Sequence, residues 1–402
     1  MSPTKSETWI KPRHKIIRRL TGPLVSYITL SKYHTKVEHF DKDGQYLILY
    51  NHQTPQDQFI VEYSFKQHIY FLATEDIFSM GFVSDILRYM LAPIPIKKST
   101  VDIGSLKSCL KVVKEGGSLA IAPEGNRTFS GKTEYINPSI VSLAKKIGLP
   151  ILLYKIEGGY GAEPRWSDKP RRGKTRGYVA KEISKEDVAS MSKEELYKEI
   201  VETLDVRENV PAVYTSKKRA EYIERMIYVC QDCGFAEFES EGNEFWCKKC
   251  KKKVEYCEDK SLRGIGFDLP FTFAADWYDY EKDYVNSTDV TKLTKEPIFT
   301  DNTDLYRVIL HDHKELIQSG VTSKLFGDRI EIEKNGDSYV TMVFDDISGI
   351  ACLGRNKLNI YFGGTVYQYK GNQRLNALKY LNIYKRYKNI TEGKPDDKFL
   401  GL

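Results

Sequence analysis

The chain has 402 residues, 41% of them hydrophobic and 29% charged, and a formal net charge of +6. That length exceeds what one hydrophobic core usually serves, so two or three domains are expected, and no run approaches the roughly 20 apolar residues of a membrane-spanning helix. The mild positive charge favours an anionic partner without choosing among nucleotide, nucleic acid and lipid surface, while seven clustered cysteines and a start without a signal-peptide pattern exclude a secreted disulfide scaffold and point to a reducing cytoplasm.

The first forty residues hold eight Lys or Arg against Glu7 and Glu38, with Ile17, Leu20, Leu24 and Ile28 at helical spacing. This is a basic amphipathic element that packs on the domain or touches a membrane surface. Thr21-Gly22-Pro23 interrupts it, because Pro opens a helix better than it continues one, so two short helices joined by a turn are expected. From residue 45 to about 184 short β-prone runs alternate with helical segments, the signature of an α/β sheet. Strands are predicted over 46–50, 69–72, 94–97, 119–122, 151–156 and 177–180. Helices are predicted over 58–66, 82–89, 103–114, 139–146 and 193–204. The last carries a capping box, Ser192 with Glu195.

A charged helix over 216–226 is expected to lead into a cysteine cluster. Beyond Cys257 the composition turns aromatic and β-branched, with strands predicted over 329–333, 338–344, 349–353 and 359–362 and a helix over 373–387. Strands closed by one amphipathic helix suggest a small barrel or sandwich capped by that helix. The domain reading is therefore 1–40 for the basic helices, 41–210 for the α/β domain, 211–260 for a linker helix and ribbon, and 261–402 for the β-rich domain.

General-base chemistry on an anionic substrate needs a base, a group that orients the base, and a grip on the anion. Asn51-His52-Gln53-Thr54-Pro55-Gln56-Asp57 follows a predicted strand and precedes a helix, so His52 and Asp57 emerge at the carboxyl edge of the sheet, where such folds bind ligands. Of seven histidines, only His52 has an Asp five residues on. That spacing alone equally suits a histidine capping a loop. Ala122-Pro123-Glu124-Gly125-Asn126-Arg127-Thr128 also follows an apolar run, with Arg to hold a phosphate bidentately and Gly to let backbone approach it. Taken alone, it reads equally as a turn with a Glu124–Arg127 salt bridge.

Together the two segments resemble the lysophospholipid and glycerol-phosphate acyltransferase family, whose first block reads Asn-His-x-Ser-x-x-Asp and whose third reads Pro-Glu-Gly-Thr-Arg-Ser. The resemblance covers about residues 10 to 205. It implies that His52 deprotonates the acceptor, that Asp57 orients it, and that Glu124, Gly125, Arg127 and Thr128 place the acceptor phosphate. An acyl thioester, acyl-CoA or acyl carrier protein, would be the donor. Departures are Thr54 for Ser, Asn126 for Thr and Thr128 for Ser. In the intervening block Lys97 and Lys98 stand where Arg is usual, which keeps charge but loses the planar fork. Tyr154 replaces a proline in the fourth block, leaving acyl-chain selection open. No Gly-x-Ser-x-Gly elbow is present, which argues against a serine hydrolase.

Cys230-x2-Cys233 and Cys247-x2-Cys250, thirteen residues apart, match a four-thiolate structural zinc ribbon. Between Cys230 and Cys257 six acidic residues outnumber five lysines, so nucleic acid is not expected and a protein partner suits the ribbon better. The last domain resembles pleckstrin-homology and GRAM-like modules. The expectation is a peripheral-membrane O-acyltransferase acting on a lysolipid, with a lipid-binding zinc-ribbon adaptor carrying an inactive acyltransferase-like domain as the alternative.

Overall fold

A computed structural model describes residues 8–74, 77–78, 81–96, 103–309 and 313–394. Its contacts fall into two units. One comprises Met1–Arg127, Tyr135–Gly159 and Lys174–Val206, and the other Thr128–Glu134, Tyr160–Gly173 and Arg207–Leu402. The stretch read as one block over 41–210 is thus shared between them.

In chain order the first part runs α1 (Pro12–Tyr33), β1 (Thr35–Val37), β2 (Leu47–Tyr50), α2 (Asp57–Ser64), β3 (Ile69–Thr74), α3 (Phe82–Leu91), β4 (Ile94–Ile96) and α4 (Ile103–Lys114). It continues with β5 (Ser118–Ile121), α5 (Ser139–Ile147), β6 (Ile151–Glu157), the one-turn α6 (Gly159–Ala162), β7 (Thr175–Ile183), α7 (Lys185–Ser190) and α8 (Lys193–Leu204). The seven strands form one mixed sheet ordered β1-β7-β6-β2-β5-β3-β4, parallel from β6 to β4, with β7 antiparallel to β6. Alternation along the strands sorts side chains to the two faces. Leu47, Leu49, Leu119, Ile121 and Leu153 pack with α4, α5 and α8 residues such as Val112, Ile140 and Ile200. Ile48, Tyr50, Ala120, Leu152 and Tyr154 pack with Ile60 and Val61 of α2. The strands and helices predicted over 46–204 are present, their ends displaced by a few residues at most, with residue 97 of one predicted strand outside the described residues.

The N-terminal expectation of two helices is corrected. α1 is one helix of 22 residues with Pro12 in its first turn and Pro23 inside it. Pro23 removes one backbone donor, a local loss of about 3 kcal/mol, but side-chain anchoring holds the helix through it. Arg18 reaches the far end of α2, pairing with the Glu62 carboxylate at 2.6 Å and donating to the carbonyls of Glu62, Phe65 and Lys66, where a helix terminus favours a cation. His14 is buried with Nδ1 3.2 Å from the Tyr70 hydroxyl. Burial, with His68, Arg13 and Lys11 nearby, pulls its pKa down to about 4, so it is neutral at physiological pH. The opposite face of α1 leaves Ile16, Leu20, Leu24, Tyr27 and Ile28 exposed, Leu20 by 74%. No described helix is long and apolar enough to cross a membrane.

The second unit contains β8 (Val229–Cys230) paired with β9 (Gly234–Phe235), and an antiparallel sheet of β10 (Phe238–Glu241), β11 (Glu244–Cys247), β12 (Lys253–Tyr256) and β13 (Leu262–Gly264). After α9 (Ala274–Ser287) come β14 (Phe299–Val308), β15 (Lys314–Leu325), β16 (Arg329–Lys334), β17 (Asp337–Val343), β18 (Ile347–Leu353), β19 (Lys357–Phe362), β20 (Thr365–Lys370) and α10 (Ala377–Thr391). These seven strands make one antiparallel sheet ordered β17-β16-β15-β14-β20-β19-β18. Phe245 of the ribbon, Trp277 of α9, Phe299 of β14 and Leu378 of α10 belong to a single apolar core.

The helix expected over 216–226 is absent, and only a 3-10 turn at Ile223–Arg225 forms. Its backbone donors find other acceptors: Ala220 N bonds Gly242 O at 3.0 Å and Tyr222 N bonds Ser240 Oγ at 2.7 Å. Sequence periodicity sees charge spacing but not these ribbon acceptors. The C-terminal helix starts at 377 rather than 373, because Asn376 caps it through the Lys379 amide. α9, β14, β15 and β20 are additional to the sequence reading.

Candidate active site

β2 lies between β5 and β6, with β3 reached by crossing over β5. The chain leaving β5 crosses β2 in turn to reach β6, so the connections depart in opposite directions from the adjacent carboxyl ends of β2 and β5, the arrangement that opens a crevice in α/β sheets. Asn51, the first residue past β2, is locked to β6 by two bonds: its Nδ2 donates to Ile156 O at 2.8 Å and its Oδ1 accepts from Ile156 N at 2.7 Å. His52 follows, and its backbone N donates to Glu124 Oε1 at 2.7 Å, joining this loop to the one after β5.

Asp57 opens α2 and is fully buried. Its Oδ2 accepts from His52 Nδ1 at 2.8 Å, Gln53 N at 2.6 Å and Thr54 N at 2.9 Å, while Oδ1 accepts from the Thr54 hydroxyl at 2.5 Å. Two backbone amides, a hydroxyl and an imidazole thus surround the carboxylate, which also sits at the favourable end of the helix dipole. The bond from Nδ1 to Asp57 fixes the orientation of the imidazole ring. The Tyr50 ring meets the imidazole edge-on at 6.1 Å. Burial, reinforced by Asp57 and Glu124, pushes the Tyr50 phenol far above its ordinary range, so it stays neutral.

His52 opens onto a cavity of about 360 Å³ lined by residues of the first unit. Arg127 and Gly125 share its wall, and Gly125 has φ +69°, a left-handed conformation that suits glycine. Phe59, Phe71, Leu72, Leu87, Leu91 and Ile121 make most of the lining apolar. The cavity reaches from His52 and Ala122 at the carboxyl edge to His68 and Ile69 at the amino end of β3. At strand rise a six-residue strand such as β3 spans about 20 Å, so the space is long as well as apolar. At its far end His68 Nδ1 bonds Glu62 Oε1 at 3.0 Å.

The structure therefore brings His52, Asp57, Glu124, Gly125 and Arg127 together. Lys97 and Lys98 lie outside the described residues. Thr128 lies in the second unit, buried, its hydroxyl accepting from Gly131 N at 3.0 Å and facing Glu134 Oε1 at 3.3 Å. Tyr154 does not line the cavity; it is buried with its hydroxyl 2.6 Å from Ser64 Oγ. The sequence reading missed the supporting work of Asn51, Thr54 and Glu124. The thiols of Cys230, Cys233, Cys247 and Cys250 lie within 4.8 Å of one another.

Residues 32–153 match the Acyltransferase family. This stretch carries the acyltransferase pattern. It contains β2 with His52, α2 with Asp57 and the whole 122–128 segment. A curated relative, the 1-acyl-sn-glycerol-3-phosphate acyltransferase of Borreliella burgdorferi, is 29% identical over 124 residues, which is 30% of this chain and 50% of that protein. The chain thus spans about half the length of the curated relative it matches. The crystal structure of the 1-acyl-sn-glycerophosphate (LPA) acyltransferase PlsC from Thermotoga maritima aligns with 49% of this chain and 81% of its own at 21% identity, with a TM-score of 0.40. The acyltransferase stretch is the part of the chain to which the family match applies.

Replacing the Thr54 hydroxyl tests how far the carboxylate depends on its donors. Thr54→Val leaves Asp57 Oδ1 buried without that bond and should lower unfolding free energy by about 1–3 kcal/mol. Urea denaturation reads this directly, and a change within about 0.5 kcal/mol would show that the hydroxyl is not needed.

Proposed function

We propose that the protein is an O-acyltransferase that esterifies the hydroxyl of a lysophospholipid or glycerol-phosphate-like acceptor from an acyl thioester. The observation that carries this is the His52–Asp57 pair at 2.8 Å, at the mouth of a long apolar cavity that also presents Arg127. The cavity suits an acyl chain, because it offers apolar walls over its length and ionic groups mainly at its ends. In this reading His52 Nε2 takes the proton of the acceptor hydroxyl as its oxygen attacks the thioester carbonyl. When the tetrahedral intermediate collapses, the carbon–sulfur bond breaks and the imidazolium returns the proton to the leaving thiolate, giving ester and free thiol. Asp57 keeps the imidazole in one tautomer and stabilises its cation. Arg127 holds the acceptor phosphate. Glu124, itself anionic, serves by fixing the His52 backbone rather than by touching phosphate.

His52→Ala should lower kcat about 10²–10⁴-fold with labelled acyl thioester and a lysolipid panel, whereas Arg127→Ala should act mainly on acceptor KM. Unaltered turnover in His52→Ala would remove the mechanism, and vesicle binding without turnover in the wild type would favour the lipid-binding adaptor.

The exposed apolar row of α1, with Lys15 and Arg19 exposed beside it and Phe82 of α3 exposed by 78%, suits contact with an anionic lipid surface. Flotation with vesicles containing an anionic phospholipid should recover the wild type but not Leu20→Asp/Leu24→Asp; equal recovery would exclude this face.

For the cysteine cluster the donor set fits zinc. Four thiolates at about 2.3 Å from a tetrahedral ion lie about 3.8 Å apart, and Cys230 Sγ and Cys250 Sγ are separated by 3.7 Å. A zinc ion held by Cys230, Cys233, Cys247 and Cys250 would be structural, with no open position for substrate. About one equivalent of zinc should co-purify and be lost in Cys230→Ser/Cys247→Ser; a metal-free chain of unchanged Tm would rule it out.

A further inference from the structure

The cavity that begins at His52 ends, within the same unit, on a second histidine. His68 lines its far end and also lines a smaller cavity of about 60 Å³, whose walls include Ile17, Thr21 and Val25 of α1 together with His14. Phe59, Glu62, His68 and Leu91 border both spaces, so the two adjoin here.

One side of His68 is firmly held. The Glu62 carboxylate accepts from His68 Nδ1 at 3.0 Å, from Arg18 Nε at 2.6 Å and from the Ile69 amide at 3.0 Å. An ionised carboxylate only accepts, so His68 carries a hydrogen on Nδ1 and, as a neutral ring, presents a bare Nε2. His14 has the opposite arrangement. Its Nδ1 accepts from the Lys11 amide at 3.4 Å and lies 3.2 Å from the Tyr70 hydroxyl, so in this neutral ring the hydrogen is on Nε2. The two ring centroids are 5.9 Å apart, and His14 and His68 are only 1% and 8% exposed. Neither Nε2 has a hydrogen-bond partner among the described residues, and both atoms are buried. Leaving such atoms unbonded is costly. A donor and an acceptor beside each other at the end of an apolar space are the complement of a hydroxyl, which offers one of each. A carboxylate there would face the Glu62 charge across the His68 ring, and a methyl group would leave both nitrogens unbonded.

We propose that this end of the cavity is a subsite for a hydroxyl at or near the methyl end of the acyl chain, with His14 Nε2 donating to the hydroxyl oxygen and His68 Nε2 accepting its hydrogen. The proposal rests on the acyltransferase reading above and specifies its donor: an ω-hydroxyacyl thioester is preferred over the unsubstituted one. A site built around a hydroxyl discriminates strongly, because its buried polar atoms are left unpaired by the analogue that lacks the group.

The test uses the full chain, a lysophosphatidate acceptor and two series of acyl-CoA from lauroyl to stearoyl, one unsubstituted and one ω-hydroxylated. At the chain length that reaches His68, kcat/KM for the ω-hydroxyacyl donor should exceed that of its unsubstituted counterpart about tenfold. At shorter lengths the hydroxyl meets apolar wall, and the ratio should fall to about one or below. His68→Phe and His14→Phe each remove one bonding atom and should abolish the preference. A wild-type ratio no greater than about one at every length overturns the proposal without recourse to a variant, as does a preference that persists in both variants. The free ω-hydroxy and unsubstituted fatty acids, competing for the wild type against a fluorescent fatty acid, separate this inference from the reading beneath it. Tighter binding of the ω-hydroxy acid without any acyl transfer would overturn the acyltransferase reading and leave the subsite standing. Equal binding of the two acids at every length, or transfer with no preference, strikes the subsite alone.

Discussion

A carboxylate taken wholly out of water is costly unless its lone pairs are filled, and the Asp57 carboxylate shapes the residues around it accordingly. The amides of Gln53 and Thr54, the Thr54 hydroxyl and the His52 ring all turn inward to meet it. The loop between β2 and α2 is therefore not free to adopt other conformations. The same bonds that solvate the charge fix the imidazole, so the stability of the loop and the orientation of the His52 ring have one physical cause.

That loop is in turn held to its neighbours on both sides. Asn51 pairs with the backbone of Ile156 and Glu124 takes the His52 amide, so the ends of β6 and β5 are joined to β2 just where the parallel strands stop offering one another ladder bonds. The cavity opens on the α2 face of this junction. Its walls come from residues that strand alternation sends to that face and from α2 and α3, and its ionic groups collect mainly at the two ends. An elongated apolar ligand with a charged head is the shape such a space accommodates.

The second unit answers a different constraint. The short ribbon strands, β8 to β13, share an apolar core with α9 and the seven-stranded sheet. Four thiols of that unit lie within 4.8 Å of one another, where the strands are short. Within that unit buried arginines bond main-chain oxygens, Arg165 that of Gly354 and Arg225 that of Trp166, a mode of attachment that fixes backbone more than it fixes side chains.

Much of the first unit was legible in the sequence because period-2 and period-3.6 patterns report burial directly, and the strands and helices expected there are present. His52, Asp57 and Arg127 stood out as residue types at suitable spacing, and the cysteine pairs declared themselves by the same means. What the sequence could not carry was partnership across the chain. Pro23 looked like a break because local propensity cannot see Arg18 reaching α2, and 216–226 looked helical because the ribbon acceptors for its amides lie some twenty residues away. The bond from the His52 amide to the Glu124 carboxylate spans 72 residues, and no local spacing announces it. The sequence by itself determined which groups were available for chemistry and where the apolar faces lay. Only the tertiary structure decided which of those groups meet, because a hydrogen bond depends on distances of a few tenths of an ångström that no linear spacing encodes.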